Sequence, residues 1–457
     1  MRLNPRHVAL VMAMVLAWGM DVEAQQAATQ RLTLNDAITL ALKYNLGVRV
    51  AGTQAGEAEG TRDRQLATLL PHVTGESLAN LQNRNLAVLG VSVPGIPTVA
   101  GPFAYYDFRV AASQTLIDRR LYHDWKASQS AERAAQLDYQ DARDLVIRQT
   151  AGLYLDSEFA SAEVQAAESR VTTSETLEKL ARDQRANQLA TGVDVVRAQV
   201  QLARDRQNLL VARDTYQTSL LVLARFLGLQ PGTPLELAEQ LEFQRVEAPD
   251  LGPSVQAALE ARPDYRSLWS QRESLVEQQK AARARYLPTL SVSGDYGALG
   301  RNFGSMPGIG EIQGTLSVTL FDRDRNGERK QLANRLQRLN DQLEDLARGI
   351  EQEIRKAALD LDSTEQQVTV TQAALDLAKE ELKLAEDRFR HGVTDNIEVV
   401  TSQDALAAAQ DDRIAALARH ADAQAALARA LGATEQNYHK YLGGSTNPTP
   451  GQPSGGR

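Results

Sequence analysis

Residues 119–228, which open Arg119-Arg120-Leu121-Tyr122 and close Leu223-Ala224-Arg225-Phe226-Leu227-Gly228, run for about 110 residues without a proline, the residue that breaks long helices. A second proline-free run spans 323–432, from Arg323 to Gly432. Laid over each other at an offset of 204 residues, the two need no gap. Leu116, Asp118 and Arg119 fall on Leu320, Asp322 and Arg323; Val195-Val196 falls on Val399-Val400, Gln199 on Gln403, and Leu223-Ala224-Arg225 on Leu427-Ala428-Arg429. The chain is therefore an internal duplication. Each run reads as two antiparallel helices of roughly 65 and 40 residues, the longer on the order of 100 Å, too long for a compact domain. The first hairpin turns at Asn187-Gln188-Leu189-Ala190-Thr191-Gly192 and the second near Arg390-His391-Gly392-Val393-Thr394-Asp395-Asn396. Between the turns the apolar positions are thin and often alanine, as at Ala131, Ala134, Ala135 and Ala142, which suits helices packed as a sheet.

Upstream of each hairpin the same order repeats. Leu34-Asn35-Asp36-Ala37-Ile38 opens a helix expected to run to about Leu70 and stop at Pro71. Its copy is expected from Val255 to Leu287, stopping at Pro288 at an offset of 217. The two offsets differ by 13 residues, which places a length change between Pro71 and Leu116, in the Gly/Pro/Val-rich loop 86–102. Strand-like runs then lead to each hairpin: Pro71 to about Gln82, Tyr106 to Ala112, Leu290 to Tyr296, and Ile312 to Leu320, the cleanest period-two segment of the chain. Four strands of roughly ten residues, apolar on one face and polar on the other, have the length and alternation of transmembrane barrel strands. Unpaired strand edges are costly in hydrocarbon, and four strands are too few to close a ring. Several chains must then share one barrel.

Composition narrows the function. Aromatic residues are 5%, mean hydropathy is −0.36 and the net charge is −8, without a basic run, which argues against a nucleic-acid partner. Residues 1–24 read as a secretory signal peptide: Arg2, Arg6 and His7, an apolar run from Val8 to Met20, and Val22-Glu23-Ala24 before the expected cleavage. Cysteine is absent, so disulfides, thiolate metal sites and an N-terminal lipid on cysteine are not expected. His72, His123, His391, His420 and His439 show no ligand spacing and no nucleophile motif surrounds the serines, so no metal, cofactor or catalytic residue is expected and the chain is not read as an enzyme. The segment 230–253, with Pro231, Pro234, Pro249 and Pro253, links repeat 31–229 to repeat 254–433, and the Gly/Pro/Ser/Thr-rich tail 443–457 is expected to be disordered.

Leu32-Thr33-Leu34-Asn35-Asp36-Ala37-Ile38, Ala190-Thr191-Gly192-Val193-Asp194-Val195-Val196-Arg197-Ala198-Gln199 and its partner Gly392 to Gln403, in this duplicated layout, resemble the TolC-like outer membrane efflux proteins. The resemblance implies a mainly α fold with transmembrane β: a homotrimer whose twelve strands form one barrel in outer-membrane lipid and whose long helical hairpins form a periplasmic α-barrel. It implies a passive exit duct for small molecules or proteins, in a tripartite efflux or type I secretion system with a periplasmic adaptor and an inner-membrane pump. It also implies acidic residues ringing a constriction just past the turns. That position falls on Glu398, with Asp194 as its partner in the first repeat and Thr401 and Arg197 one turn on. Three copies of Glu398 around a narrow pore would favour cations. Thr401 departs from the family, which often has a second acid there. Asp183, Asp387, Arg388 and Arg390 are the candidates for tip and adaptor contacts, Asp387 with Arg390 as a tip salt bridge. The alternative reading is a periplasmic coiled-coil adaptor or scaffold that spans no membrane.

Overall fold

The computed structural model describes residues 30–90, 97–230, 232–239, 243–247, 249–394, 396–432, 434–435 and 438. The signal segment 1–24, the tail 443–457 and Asp395 of the second turn lie outside the described residues. In chain order the elements are β1 (Gln30–Leu32), α1 (Leu34–Tyr44), α2 (Leu46–Ala67), β2 (His72–Asn85), β3 (Val99–Ile117), α3 (Arg119–Ala186) and α4 (Gly192–Phe226). After these come β4 (Leu235–Leu237), α5 (Leu251–Ala261), α6 (Pro263–Ala284), β5 (Thr289–Gly300), β6 (Gly308–Ser317), α7 (Asp324–Arg390) and α8 (Asn396–Ala430).

The duplication sets the element ends almost residue for residue. Both ends of α1 and α2 recur in α5 and α6 at the offset of 217, and both ends of α4 recur in α8 at 204. The long helices are 68 and 67 residues and the short ones 35 each, so the short arms are shorter than expected.

Besides the expected loop 86–102, whose last residues belong to β3 from Val99 on, three expectations need correction. The opening helix is two helices, ending at Ala67 rather than Leu70. Thr33 caps α1 in a capping box with Asp36, and the chain then turns extended at Asn45 (φ −61, ψ 131). Asn45 Oδ1 accepts the Gly47 N–H at 2.8 Å to start α2, while its Nδ2 donates to Phe226 O at 3.0 Å. In the second repeat the same break falls at Arg262 (φ −63, ψ 123), because a residue before proline avoids the helical region and Pro263 follows. Second, the last strand ends at Ser317, not Leu320. Its neighbour β5 begins at Thr289, paired with Ser317, and before that stands Pro288, which has no N–H to extend the ladder. Third, the linker is not featureless: β4 pairs in parallel with β1, and α5 starts at Leu251, ahead of Pro253 and of the expected Val255.

The transmembrane-type strands form one antiparallel sheet in the order β2-β3-β5-β6. The helices form a wall below it. In the half next to the sheet the neighbours run α2, α3, α6, α7; in the half with the turns they run α4, α3, α8, α7. The core is spread along this wall in clusters, and equivalent positions serve both repeats. Ala41, Val146 and Leu223 in one correspond to Ala258, Ile350 and Leu427 in the other. Among the described residues no helix is long and apolar enough to cross a membrane, which leaves the sheet to be judged on its own faces.

Candidate functional site: a polar sheet face and two helical tips

Side chains alternate across a strand, so the register decides which residues share a face. Glu76 pairs with Arg109, Arg109 with Gly297, and Asp295 with both Ala111 and Glu311. One face therefore carries Thr74, Glu76, Asn80, Asp107, Arg109, Ser113, Ser291, Ser293, Asp295, Glu311, Gln313 and Thr315. The opposite face carries Val73, Leu81, Tyr106, Phe108, Val110, Leu290, Val292, Tyr296, Ile312 and Leu316. Every charged residue of the regular ladder lies on the polar face; Arg84 stands beyond the bulge at Gln82/Arg84. Arg109 neutralises part of that charge, with its Nε 2.8 Å from Asp107 and its Nη1 3.3 Å from Asp295. Apolar residues on the other face are well exposed, Ile312 at 88% and Tyr296 at 73%. A sheet that sheds its charge to one side and leaves large apolar side chains uncovered on the other is built to separate water from hydrocarbon.

The tips lie at the far end. At the first, Thr191 caps α4: the Thr191 N–H and hydroxyl donate to Asp194 Oδ2 at 2.8 and 2.6 Å, and the Asp194 N–H donates back to Thr191 Oγ1 at 3.4 Å. Asp194 is buried, and Arg197 Nη1 lies 3.6 Å from its other oxygen. At the second, Glu398 is half-buried and accepts from Arg388 Nη1 at 2.7 Å and from the Thr394 hydroxyl at 2.5 Å. Arg390 reaches Asp387 at 3.3 Å, and burial pushes the neighbouring Glu386 carboxyl up. Thr401 is exposed and spends its hydroxyl on Ile397 O at 2.9 Å. Asp183 is exposed, and no side-chain contact among the described residues ties it to the other candidates.

Two contacts that the sequence did not suggest join the tips. Asn396 Nδ2 donates to Asp194 O at 3.0 Å, and Gln184 Nε2 donates to Arg390 O at 3.1 Å. Beneath them Leu177, Ala181, Val195 and Ala198 pack with Leu382, Ala385, Phe389 and Val399 in one cluster. The Thr191-Gly192-Val193-Asp194 spacing was a legible capping box. The cross-tip amides carried no such signal, because their acceptors are backbone carbonyls about two hundred residues away. Among the described residues there is no group of three or more His, Asp or Glu able to hold a metal.

Residues 254–433 match the family model described as outer membrane efflux protein. Solved channels share the fold at low identity. The outer membrane channel CmeC of Campylobacter jejuni is 16% identical, with a TM-score of 0.77 over 90% of this chain and 89% of that one. VceC of Vibrio cholerae is 19% identical, with a TM-score of 0.74 over 87% and 96%. The open state of MtrE of Neisseria gonorrhoeae is 18% identical, with a TM-score of 0.73 over 87% and 88%. A comparison with curated protein sequences finds no match.

Proposed function

We propose that this chain, a member of the outer membrane efflux protein family, is the outer-membrane exit duct of a tripartite efflux or type I secretion system: a passive channel closed by three copies. The single observation that carries this reading is where the chain leaves its edges. The sheet ends at β2 on one side and β6 on the other; the helical wall ends at α2 and α4 on the first side and at α7 on the second. Exposed apolar residues gather on those edge helices. On α4 they are Val193, Val196, Val200, Leu210, Val211, Leu221 and Val222; on α7 they are Leu359, Val370, Leu377 and Leu384, the last three at heptad spacing. The mid-wall helix α3 exposes only Tyr122 and Leu145 in this way. One copy's β6 and α7 edge thus complements the next copy's β2, α2 and α4 edge, and repeating that contact closes a ring. Closure puts the polar sheet face in the lumen and the apolar face against lipid, which hides every strand edge.

In this duct the tips form the periplasmic mouth. Glu398 and Thr401 narrow the entrance, while buried Asp194 and its partner Arg197 hold the first turn in shape. Asp387, Arg388 and Arg390, with Asp183 on the outer surface, are the side chains offered to a periplasmic adaptor, and an inner-membrane pump supplies the energy. The test is conductance in planar bilayers of detergent-purified protein. The expected result is a cation-preferring pore whose preference weakens in Glu398→Gln; a protein recovered without detergent from the soluble periplasm, and silent in bilayers, would overturn the duct. An unchanged cation preference in Glu398→Gln would remove only the constriction.

A further inference from the structure

A cavity of about 370 Å³ lies between α3, α7 and α8, beside the strap that β4 makes by pairing with β1. Its apolar lining comes from Ala162 and Ala166 of α3, Leu375 of α7, and Ile414 and Leu417 of α8. Three charged side chains join that lining: Glu158 of α3, Glu239 at the end of the strap, and Arg413 of α8. Glu239 Oε2 accepts the Leu34 N–H at 3.2 Å. Arg413 reaches the other way, towards α7, where its Nε donates to Gln372 Oε1 at 2.7 Å. The cavity thus has an acidic side and a guanidinium side with an apolar stretch between them.

The chain satisfies neither side. Glu158 is 6% exposed, and no hydrogen-bond donor among the described residues reaches its carboxylate. Arg413 Nη1 is buried and has no acceptor among the described residues. Burial raises the Glu158 carboxyl, to about 7 with the Glu239 charge adding to it, and burial lowers the Arg413 guanidinium. A buried charge is costly until an opposite charge meets it, so one side calls for a cation and the other for an anion. Glu158 and Arg413 stand on the two inner helices of the tip half of the wall, away from the α4 and α7 edges where neighbouring copies would meet. A metal ion at the carboxylates would leave the guanidinium unmatched and the apolar lining uncovered.

We propose that this cavity is a binding site for a small zwitterion: an organic molecule with an ammonium group, an aliphatic body and a carboxylate. The ammonium pairs with Glu158, with the Glu239 charge behind it, and the carboxylate takes the free N–H groups of Arg413. The body covers the apolar lining. Glu158 belongs to the first repeat and Arg413 to the second, so the bound molecule ties the two hairpins together beside the strap. The site is internal to one chain and does not depend on the channel reading.

Calorimetric titration of the full chain in detergent tests it with linear ω-amino acids of four, six and eight carbons. The alkylamine and the alkanoate of each length are the one-ended controls. At least one ω-amino acid should bind saturably, one molecule per chain, about tenfold or more tighter than either control of its length. Glu158→Gln should remove its advantage over the alkanoate, and Arg413→Gln its advantage over the alkylamine. Failure of all three lengths to bind saturably to the unmodified protein would overturn the site without any variant. Controls that bind as tightly as the zwitterion would do the same, as would an advantage that survives in both variants.

Discussion

At the tip of α3 and α4 the turn is closed by a threonine and a buried aspartate within one helical turn. At the tip of α7 and α8 the equivalent turn is closed by Arg388, Thr394 and Glu398, with Arg390 on Asp387, all at least partly open to water. The helix ends are superposable by sequence offset, yet the fastening differs in kind. A capping box acts through short backbone hydrogen bonds and is insensitive to salt; an exposed ion pair is screened by it. The first tip is held mainly by its capping hydrogen bonds, with the Arg197 contact at 3.6 Å from Asp194 to be screened, and the second is the one that ionic conditions reach most. The packing below is also unequal. Phe389 fills the shared cluster from the second hairpin, and its counterpart in the first, 204 residues earlier, is exposed Arg185.

Phe389→Ala should break this arrangement most, costing about 3–5 kcal/mol through the cavity it leaves, whereas Arg185→Ala should be within about 0.5 kcal/mol of the parent. Chemical denaturation of the detergent-solubilised protein, with exchange of tip peptides, measures both; equal effects would erase the asymmetry. Thr191→Ala should cost about 1 kcal/mol at the first tip, with the loss unchanged between low and high salt. The backbone offers a third comparison. Gln188 holds φ 61 at the position where the second turn places Gly392 at φ 69. Gln188→Gly should relieve the left-handed strain and stabilise by about 1 kcal/mol, while Gly392→Ala should destabilise. Smaller than these losses is that of Arg388→Ala, about 0.2–1 kcal/mol, an effect that should shrink as salt is raised. A salt-independent loss would mean that Arg388 holds the tip by packing rather than by charge.

The element order and the duplication were open to reading because proline exclusion and the period of apolar residues are local signals. The break at Arg262 was missed although Pro263 stood in the middle of the expected helix, and its copy at Asn45 has no proline and depends on a side chain capping the next helix. The end of β6 could not be read from its own alternation, which continues through Val318 and Leu320; the limit is set by its partner's proline. Glu398 and Asp194 correspond by the offset of 204, but their different surroundings depend on Arg388 and Thr191, which the fold brings to them. The strap at β4 was hidden because three residues make no period, and its pairing partner lies two hundred residues away.

The ring of copies can be tested on the chain's missing cysteine. Ser77→Cys on β2 can be combined with a cysteine replacing Gly310, Ile312, Gly314 or Leu316 on β6, all on the same face of the sheet. Within one chain these edges are three strand spacings apart, about 14 Å, too far for a disulfide, so any bond must join neighbouring copies. Under oxidation the expected result is a ladder of covalent dimer and trimer that stops at the trimer, in at least one register and in neither single-cysteine control. Chains that stay monomeric in every register, with both thiols still titrating freely, would contradict a shared barrel.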